Sequence, residues 1–437
     1  MSDSIKRWRC NVCGTIVEGI APPDKCPVCA VGPENFEALD EESAVFTSNE
    51  PAKIVIVGGG IAALSAAASA RKRNNVCDIT IISEENFLPY NRPLLTKNLF
   101  GRQGIDMTIK KEDWYTANNI KLMRGEKVIQ IDVNAKYVKT ENGSDIKYDK
   151  LILAIGASAF IPPIAGHEQR GVFAIRKMTD MQQIRDMIES MESVVIIGGG
   201  VLGLEAAWEL QLAGKNTVIL EPAPALMGRQ LDEEASGILK ESVEAHGVKC
   251  LTGIAIDKIA GDGSVSGVLL KDGTLIDAQL VIMSTGVRAN IALAQQAGIN
   301  AEKNIVINGK AETNVQDIYA CGDCAEFDGI NYAIIPQAEA QGITAGANAV
   351  GDNVIYRHEN PANYFDGFGI KLFAIGDNGK KENVNYDKIA ESSGGNYKKL
   401  YFTNGKFTGG ILIGDISDSE YLKEAYKSAY SREKMTK

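Results

Sequence analysis

Four cysteines near the N-terminus carry the first legible chemistry. Cys10, Cys13, Cys26 and Cys29 form two Cys-x-x-Cys pairs separated by twelve residues. Four thiolates at this spacing can close a tetrahedral sulfur site, which suits zinc or a single iron. Spacing alone does not choose between them. A segment of roughly forty residues has too little core to fold well by itself, so a metal would supply much of its stability. The remaining four cysteines, Cys77, Cys250, Cys321 and Cys324, are scattered. Cys321 and Cys324 could in principle be a redox dithiol. They flank Asp323, however, and the reading adopted is two small half-buried thiols around a working carboxylate.

Two glycine-rich stretches carry the second chemistry. In KIVIVGGGIAA, Lys53 to Ala63, an apolar run enters three glycines and an alanine-rich segment leaves them. Gly58 makes the tight turn, Gly60 lets backbone approach a pyrophosphate, and Ala63 lets the helix lie close to the strand. Glu84 ends the next apolar run, where a ribose-binding acid belongs. The pattern recurs at Val194 to Gly203, VVIIGGGVLG, with Gly198, Gly200 and Gly203 in the same places and Glu221 as the second acid. Two such units imply two dinucleotides, each with its phosphates at a helix N-terminus. A carboxylate at Glu221 favours NADH over NADPH, because it bonds ribose hydroxyls and repels a 2′-phosphate.

The elements that must position these groups follow from pattern. The 437 residues suggest two to four domains, and 45% hydrophobic with 23% charged residues is ordinary for a globular chain. The net charge of −10 argues against nucleic acid as a partner. No apolar run reaches membrane-span length and no export signal is evident, so a cytoplasmic location is expected. The stretch Tyr148 to Ala157 reads as a strand followed by a small-residue turn that holds Gly156, and an apolar run near Ile318 ends on Gly322-Asp323. Asp323 could accept hydrogen bonds from the ribityl hydroxyls of a flavin. Residues 41–51 read as a linker long enough to let the metal unit swing, with an r.m.s. span of ~20 Å if flexible. A small-residue helix is expected over ~330–350, and an α+β segment after it ends in a charged helix, Ser419 to Tyr430. His167, His246 and His358 are isolated and read as structural.

Two resemblances extend this reading. The first segment, with Trp8, Gly14, Pro27 and Phe36 around its cysteines, resembles a rubredoxin domain of the short-spaced rubrerythrin type. This implies one iron cycling between Fe(III) and Fe(II). Ala30, where a glycine would complete the loop symmetry, departs from the pattern. Residues ~53–350 resemble pyridine-nucleotide-dependent flavoprotein reductases with two dinucleotide sites, through GGGIAA, LILAIGA, GGGVLGLE and YACGDCA. There is no cysteine between Cys77 and Cys250, so a redox cysteine of the disulfide- or peroxide-reducing members is missing. PYNRPLLTK instead resembles rubredoxin and ferredoxin reductases. The resemblance implies that Arg92 and Pro93 contact FAD, that Lys97 sits near flavin N5, and that Glu205 pairs with Lys97. The C-terminal stretch is similar to the terminal domain of NADH–rubredoxin reductases and to the flavin part of nitrite reductases.

The fold expected is therefore α/β, with two Rossmann-like domains. Residues 1–40 are the iron unit, 52–164 and 287–358 the discontinuous FAD domain, 165–286 the NAD(H) domain and 359–437 an α+β domain. The function expected is electron flow from NADH through FAD to an iron–tetrathiolate, then to an external protein. That acceptor would be a rubredoxin-dependent oxygen or peroxide reductase, or a separate rubredoxin, served by a monomer or homodimer. Residues 1–50 hold nine acids and four bases, net −5, so a basic docking patch on a partner is expected. Two readings compete. One is an NAD(P)H oxidase or other reductase component with a structural zinc knuckle. The other is a non-catalytic zinc module on a flavoprotein scaffold.

Overall fold

The computed structural model describes residues 6–10, 16–26, 32–39, 46–101, 106–358 and 362–436, with the side chain of Glu18 left aside. Cys13, Gly14, Pro27, Cys29 and Ala30 lie outside the described residues, as does the first part of the 41–51 segment.

Two parallel five-stranded sheets form the body. The first runs 318–320, 150–153, 53–57, 78–83, 120–124 in space, and the second 172–174, 280–283, 193–197, 216–221, 249–252. Their central strands are apolar without alternation, as sheets covered on both faces require; Ile54, Ile56, Val195 and Ile196 are wholly buried. Each glycine loop leads from the central strand into a helix, Ile61–Arg73 in one unit and Val201–Leu212 in the other. Each unit also carries a three-stranded antiparallel sheet, built from 128–147 in the first and 256–277 in the second. The two chain crossings between the units lie side by side, as Ala157–Ala159 pairs antiparallel with Val287–Ala289.

The helix Ile335–Ala349 packs on Ile61–Arg73 at unusually short range. A Cβ on Gly342 would stand 2.4 Å from the Ala62 carbonyl oxygen, and one on Gly346 would stand 2.1 Å from that of Ala66. Two glycines four apart therefore let the backbones touch. The C-terminal segment folds as one antiparallel sheet, ordered 362–367, 370–376, 406–413, 396–403, 387–393, with the helix Ser419–Lys427 against it. That helix is shorter than expected, ending at Lys427 before a turn. The strand Asp387–Ser393 carries no apolar alternation and gave no sequence signal.

The N-terminal unit is a three-stranded sheet of Ile16–Gly19, Lys6–Cys10 and Phe36–Leu39. It stands against the rest of the molecule, since Cys10, Cys26 and Phe36 share a hydrophobic cluster with Leu94, Leu95 and residues of the second and third units. The described part of the expected linker is attached. The Ser48 amide donates to the Arg73 carbonyl at 2.8 Å, Asn74 Nδ2 donates to the Glu50 carbonyl at 2.9 Å, and Phe46 packs on the first unit's core. A span that swings over the full eleven residues is thus not what the structure holds.

Candidate functional site: a flavin-sized cleft among four units

The glycine loops are built alike. Gly58 (φ +125°) and Gly198 (φ +115°) each sit where a Cβ would strike the backbone leaving the neighbouring strand, 2.0 Å from the Ala154 oxygen and 2.3 Å from the Ser284 oxygen. Gly60 and Gly200 face open space, with nothing within 4 Å of where a Cβ would stand. Their helices begin there with uncapped amides, which is the arrangement that receives a phosphate. Gly203 is tighter than its counterpart Ala63: a Cβ at 203 would lie 2.1 Å from the Gly198 oxygen, whereas Ala63 is accommodated and buried.

A cleft of about 2230 Å³ opens at the first loop. Its walls include Gly58, Gly60, Glu84, Arg92, Pro93, Lys97, Gly156, Glu205 and Asp323. The volume exceeds that of an ordinary small-molecule pocket, roughly 300–1,000 Å³, and suits a dinucleotide with room beside it. Gly156 (φ +61°) also faces open space. Glu84 lies just past the strand Asp78–Ser83, half exposed, 3.5 Å from Lys177 and 3.8 Å from Lys127.

Lys97 ends the short helix Leu94–Lys97, and Glu205 stands in the second nucleotide helix. Lys97 Nζ lies 2.7 Å from Glu205 Oε1, both side chains nearly buried at 11% and 7% exposure. Thr96 Oγ1 donates to the other Glu205 oxygen at 2.7 Å. Both charges are thus matched inside a site partly shielded from water, and loss of either leaves the other uncompensated.

Arg92 does not stand alone. It pairs with Glu85, donates to the Tyr90 hydroxyl at 3.0 Å and to the Arg176 carbonyl at 2.8 Å. Burial pushes the Glu85 carboxyl up, but Arg92 and the Tyr90 hydroxyl outweigh it and hold the group below the usual range. Arg176 in turn donates to Asp323 Oδ2 at 2.6 Å and to the Ala157 carbonyl at 2.9 Å. Sequence reasoning missed Glu85, Tyr90 and Arg176. Glu85 and Tyr90 were adjacent to named residues, but Arg176 comes from the second unit, and no local motif announces it. Gly322 (φ +81°) turns the chain before Asp323, and its amide donates to Gln341 Oε1 at 2.9 Å.

Glu221 closes on its own loop. Its Oε2 accepts from the Gly199 amide at 2.6 Å and its Oε1 from the Ala223 amide at 2.7 Å. Each oxygen keeps a lone pair for a ribose hydroxyl. Cys321 and Cys324 are wholly buried. Burial pushes both thiols up, that of Cys324 to about 11, and the Cys324 thiol donates to the Leu153 and Cys321 carbonyls. Such thiols are inert packing groups. Cys250 is pushed up to about 12, again first by burial.

The N-terminal unit forms part of the cleft wall through Arg7, Arg9, Cys10, Ile16, Val17 and Glu37. Cys10 and Cys26 are buried in one cluster and neither is in a disulfide. Buried thiols, one from each knuckle, are donors that fit a metal with soft ligands. Cys13 and Cys29, the other two expected ligands, lie outside the described residues.

Two Rossmann-like units around one large cleft, with a terminal sheet domain, define the class of two-dinucleotide reductases. Comparisons with known proteins agree. Residues 52–346 match the pyridine nucleotide-disulphide oxidoreductase family, 361–429 the rubredoxin NAD+ reductase C-terminal domain, and 8–37 the rubrerythrin rubredoxin-like domain. The chain belongs to the pyridine nucleotide-disulphide oxidoreductase family. It is 35% identical over 373 residues to a nitrite reductase [NAD(P)H] of Bacillus subtilis, covering 85% of this chain and 46% of that one. It is 34% identical over 381 residues to the NADH-rubredoxin oxidoreductase of Clostridium acetobutylicum, covering 87% and 95%. The crystal structure of the clostridial NADH:rubredoxin oxidoreductase superposes with a TM-score of 0.74 at 32% identity, over 87% of this chain and 96% of that one. The chain spans about half the length of the two Bacillus subtilis relatives, 46% and 49%.

Proposed function

We propose that this chain is an FAD-dependent NADH:rubredoxin oxidoreductase that carries its own rubredoxin unit. The observation that carries the reading is that Cys10 lines the same cleft as Gly60, Lys97 and Glu205. In the overall reaction one NADH and two ferric centres give NAD⁺, a proton and two ferrous centres. Bound flavin supplies the conversion of a two-electron hydride donor into one-electron steps. Gly58, Gly60, Ala63, Glu84, Gly156 and Asp323 form the seat for FAD, with Arg92 and Pro93 at its edge. Gly198, Gly200, Gly203 and Glu221 hold NADH. Lys97, oriented by Glu205, would stabilise negative charge on the reduced ring. Cys10, Cys13, Cys26 and Cys29 hold one iron. An iron held there would accept one electron at a time. The onward acceptor is a soluble iron protein that reduces oxygen or peroxide, or a separate rubredoxin, and the enzyme works as a monomer or homodimer in the cytoplasm. Among the described residues no helix is long and apolar enough to cross a membrane.

Anaerobic titration with NADH tests this. Flavin and thiolate-to-iron absorption bands should both bleach, the iron band at about one electron per chain. Zinc in place of iron, or an iron band that persists while the flavin is reduced, would sink the proposal and leave the oxidase or other-acceptor reading.

A further inference from the structure

The seam between the N-terminal unit and the cleft is an alternating row of charges. Arg9 Nη2 lies 2.7 Å from Glu339 Oε2, with the side chains 14% and 6% exposed. Arg7 reaches the other Glu339 oxygen at 3.7 Å. Arg9 also stands 3.4 Å from Glu37, Glu37 stands 3.2 Å from Lys423, and Lys423 stands 2.8 Å from Glu420. Glu339 belongs to the helix Ile335–Ala349, where it is the one charged residue. Lys423 belongs to the C-terminal helix Ser419–Lys427. Arg9 and Glu37 are direct cross-strand partners in the N-terminal sheet. The unit therefore presents a plus–minus pair to a minus–plus pair drawn from two separate elements.

Orientation follows from that pattern. Turned end for end, the unit would set Arg9 against Lys423 and Glu37 against Glu339, and like charges at close range oppose docking. Cys10 follows Arg9 and pairs across the sheet with Phe36, the neighbour of Glu37. Fixing Arg9 and Glu37 thus fixes Cys10, wholly buried at the cleft wall. Arg7 and Arg9, two apart on one strand, share the face that meets Glu339.

We propose that Glu339 and Lys423 form a docking surface for this chain's own N-terminal unit, which Arg9 and Glu37 read in one orientation, with Cys10 turned to the cleft. The polarity is the reverse of a simple acidic carrier on a basic patch: the deepest contact is two arginines of the small unit on one buried acid. The docking rests on the electron-transfer reading for its purpose but not for its geometry.

A zero-length carbodiimide cross-linker tests the geometry without electron transfer. In the full-length holoprotein at low salt, peptide mapping should show positions 37 and 423 joined. Glu339→Lys should lower that yield at least fivefold and slow NADH-driven bleaching of the iron at least tenfold, while flavin content and ferricyanide reduction stay within twofold. The full reversal of the row, E339K, K423E and E420K with R7E, R9E and E37K, should restore both the link and the iron rate. In the unmodified chain, raising salt from 0.05 to 0.5 M should also lower the yield. No link in the unmodified chain, or native link yield and iron rate in E339K, would overturn the proposal. A link that forms and responds to E339K while NADH leaves the iron oxidised would uphold the docking surface and refute the electron-transfer reading.

Discussion

At the scale of residues, the pair most open to test is Lys97 with Glu205, 2.7 Å apart and almost out of water. Replacing Lys97 by Ala should slow flavin reduction by NADH about tenfold or more, ~1.4 kcal/mol of barrier, with FAD still bound. Stopped-flow at the flavin band measures it, and full-rate reduction would remove Lys97 from the mechanism. Glu221 makes a second prediction. Glu221→Gln keeps an oxygen for one loop amide but loses the charge that repels a 2′-phosphate. The NADH over NADPH preference in kcat/KM should fall about tenfold; an unchanged ratio would place selection elsewhere. The glycines and the two acids could be named from fixed offsets in a strand–turn–helix pattern, whereas Lys97 and Glu205 were named only through the family resemblance. Arg176 was legible by neither route. It reaches Asp323 across 147 residues of chain, and nothing local to either residue encodes the meeting. Glu339 was hidden differently. A lone acid in a small-residue helix reads as an ordinary surface charge until another unit covers it.

At the scale of elements, helix packing on the flavin side depends on Gly342 and Gly346. A methyl on Gly346 would meet the Ala66 backbone at 2.1 Å, and backbone cannot rotate away. Gly346→Ala should cost about 2 kcal/mol or more, measured by urea denaturation, and a neutral result would show that the two helices can part freely. The joint between the second unit and the C-terminal sheet rests on Asp232. Its Oδ2 accepts from Tyr401 at 2.6 Å, Lys399 at 2.8 Å and Tyr397 at 2.9 Å, and its Oδ1 caps a helix through the Ala235 amide at 2.8 Å. Burial raises this carboxyl, but the bonds from Lys399, Tyr401, Ala235 and Tyr397 overcome it, so the group is held below its ordinary value. A depressed folded value means the stabilisation is complete above the unfolded value of about 3.9 and fades as pH falls through the folded one. Asp232→Ala should cost about 3 kcal/mol at pH 7, and its Tm deficit relative to the unmodified chain should shrink towards pH 3. A deficit independent of pH would mean packing, not charge, makes the joint. The central parallel strands, Lys53–Val57 and Ser193–Ile197, were legible as apolar runs, whereas the edge strands Ile120–Arg124 and Val172–Ala174 were not. The strand Asp387–Ser393 was not, because an exposed edge needs no apolar face.

At the scale of the whole molecule, the order of units could be read from the chain, but their meeting could not. A linker's composition reports flexibility, whereas the position of the N-terminal unit is set by Arg9, Glu37, Glu339 and Lys423, four charges dispersed over more than 400 residues. That position has a consequence beyond orientation. Because Cys10, Ile16 and Val17 line one side of the cleft, the docked unit should limit access of solvent and dissolved gas to whatever the cleft holds. Three short strands with few buried residues depend on their metal to stay folded. Cys10→Ser with Cys26→Ser should therefore abolish iron binding, unfold the unit and open the cleft. NADH-to-ferricyanide turnover should persist, since the glycine loops, Lys97 and Glu205 belong to other units. NADH-dependent oxygen consumption, followed with an oxygen electrode, should rise severalfold over the unmodified chain, because reduced flavin is then exposed with no tethered iron to drain it. Oxygen consumption that stays low in the double variant would show that the first and second units shield the flavin by themselves, and would confine the N-terminal unit to carrying electrons.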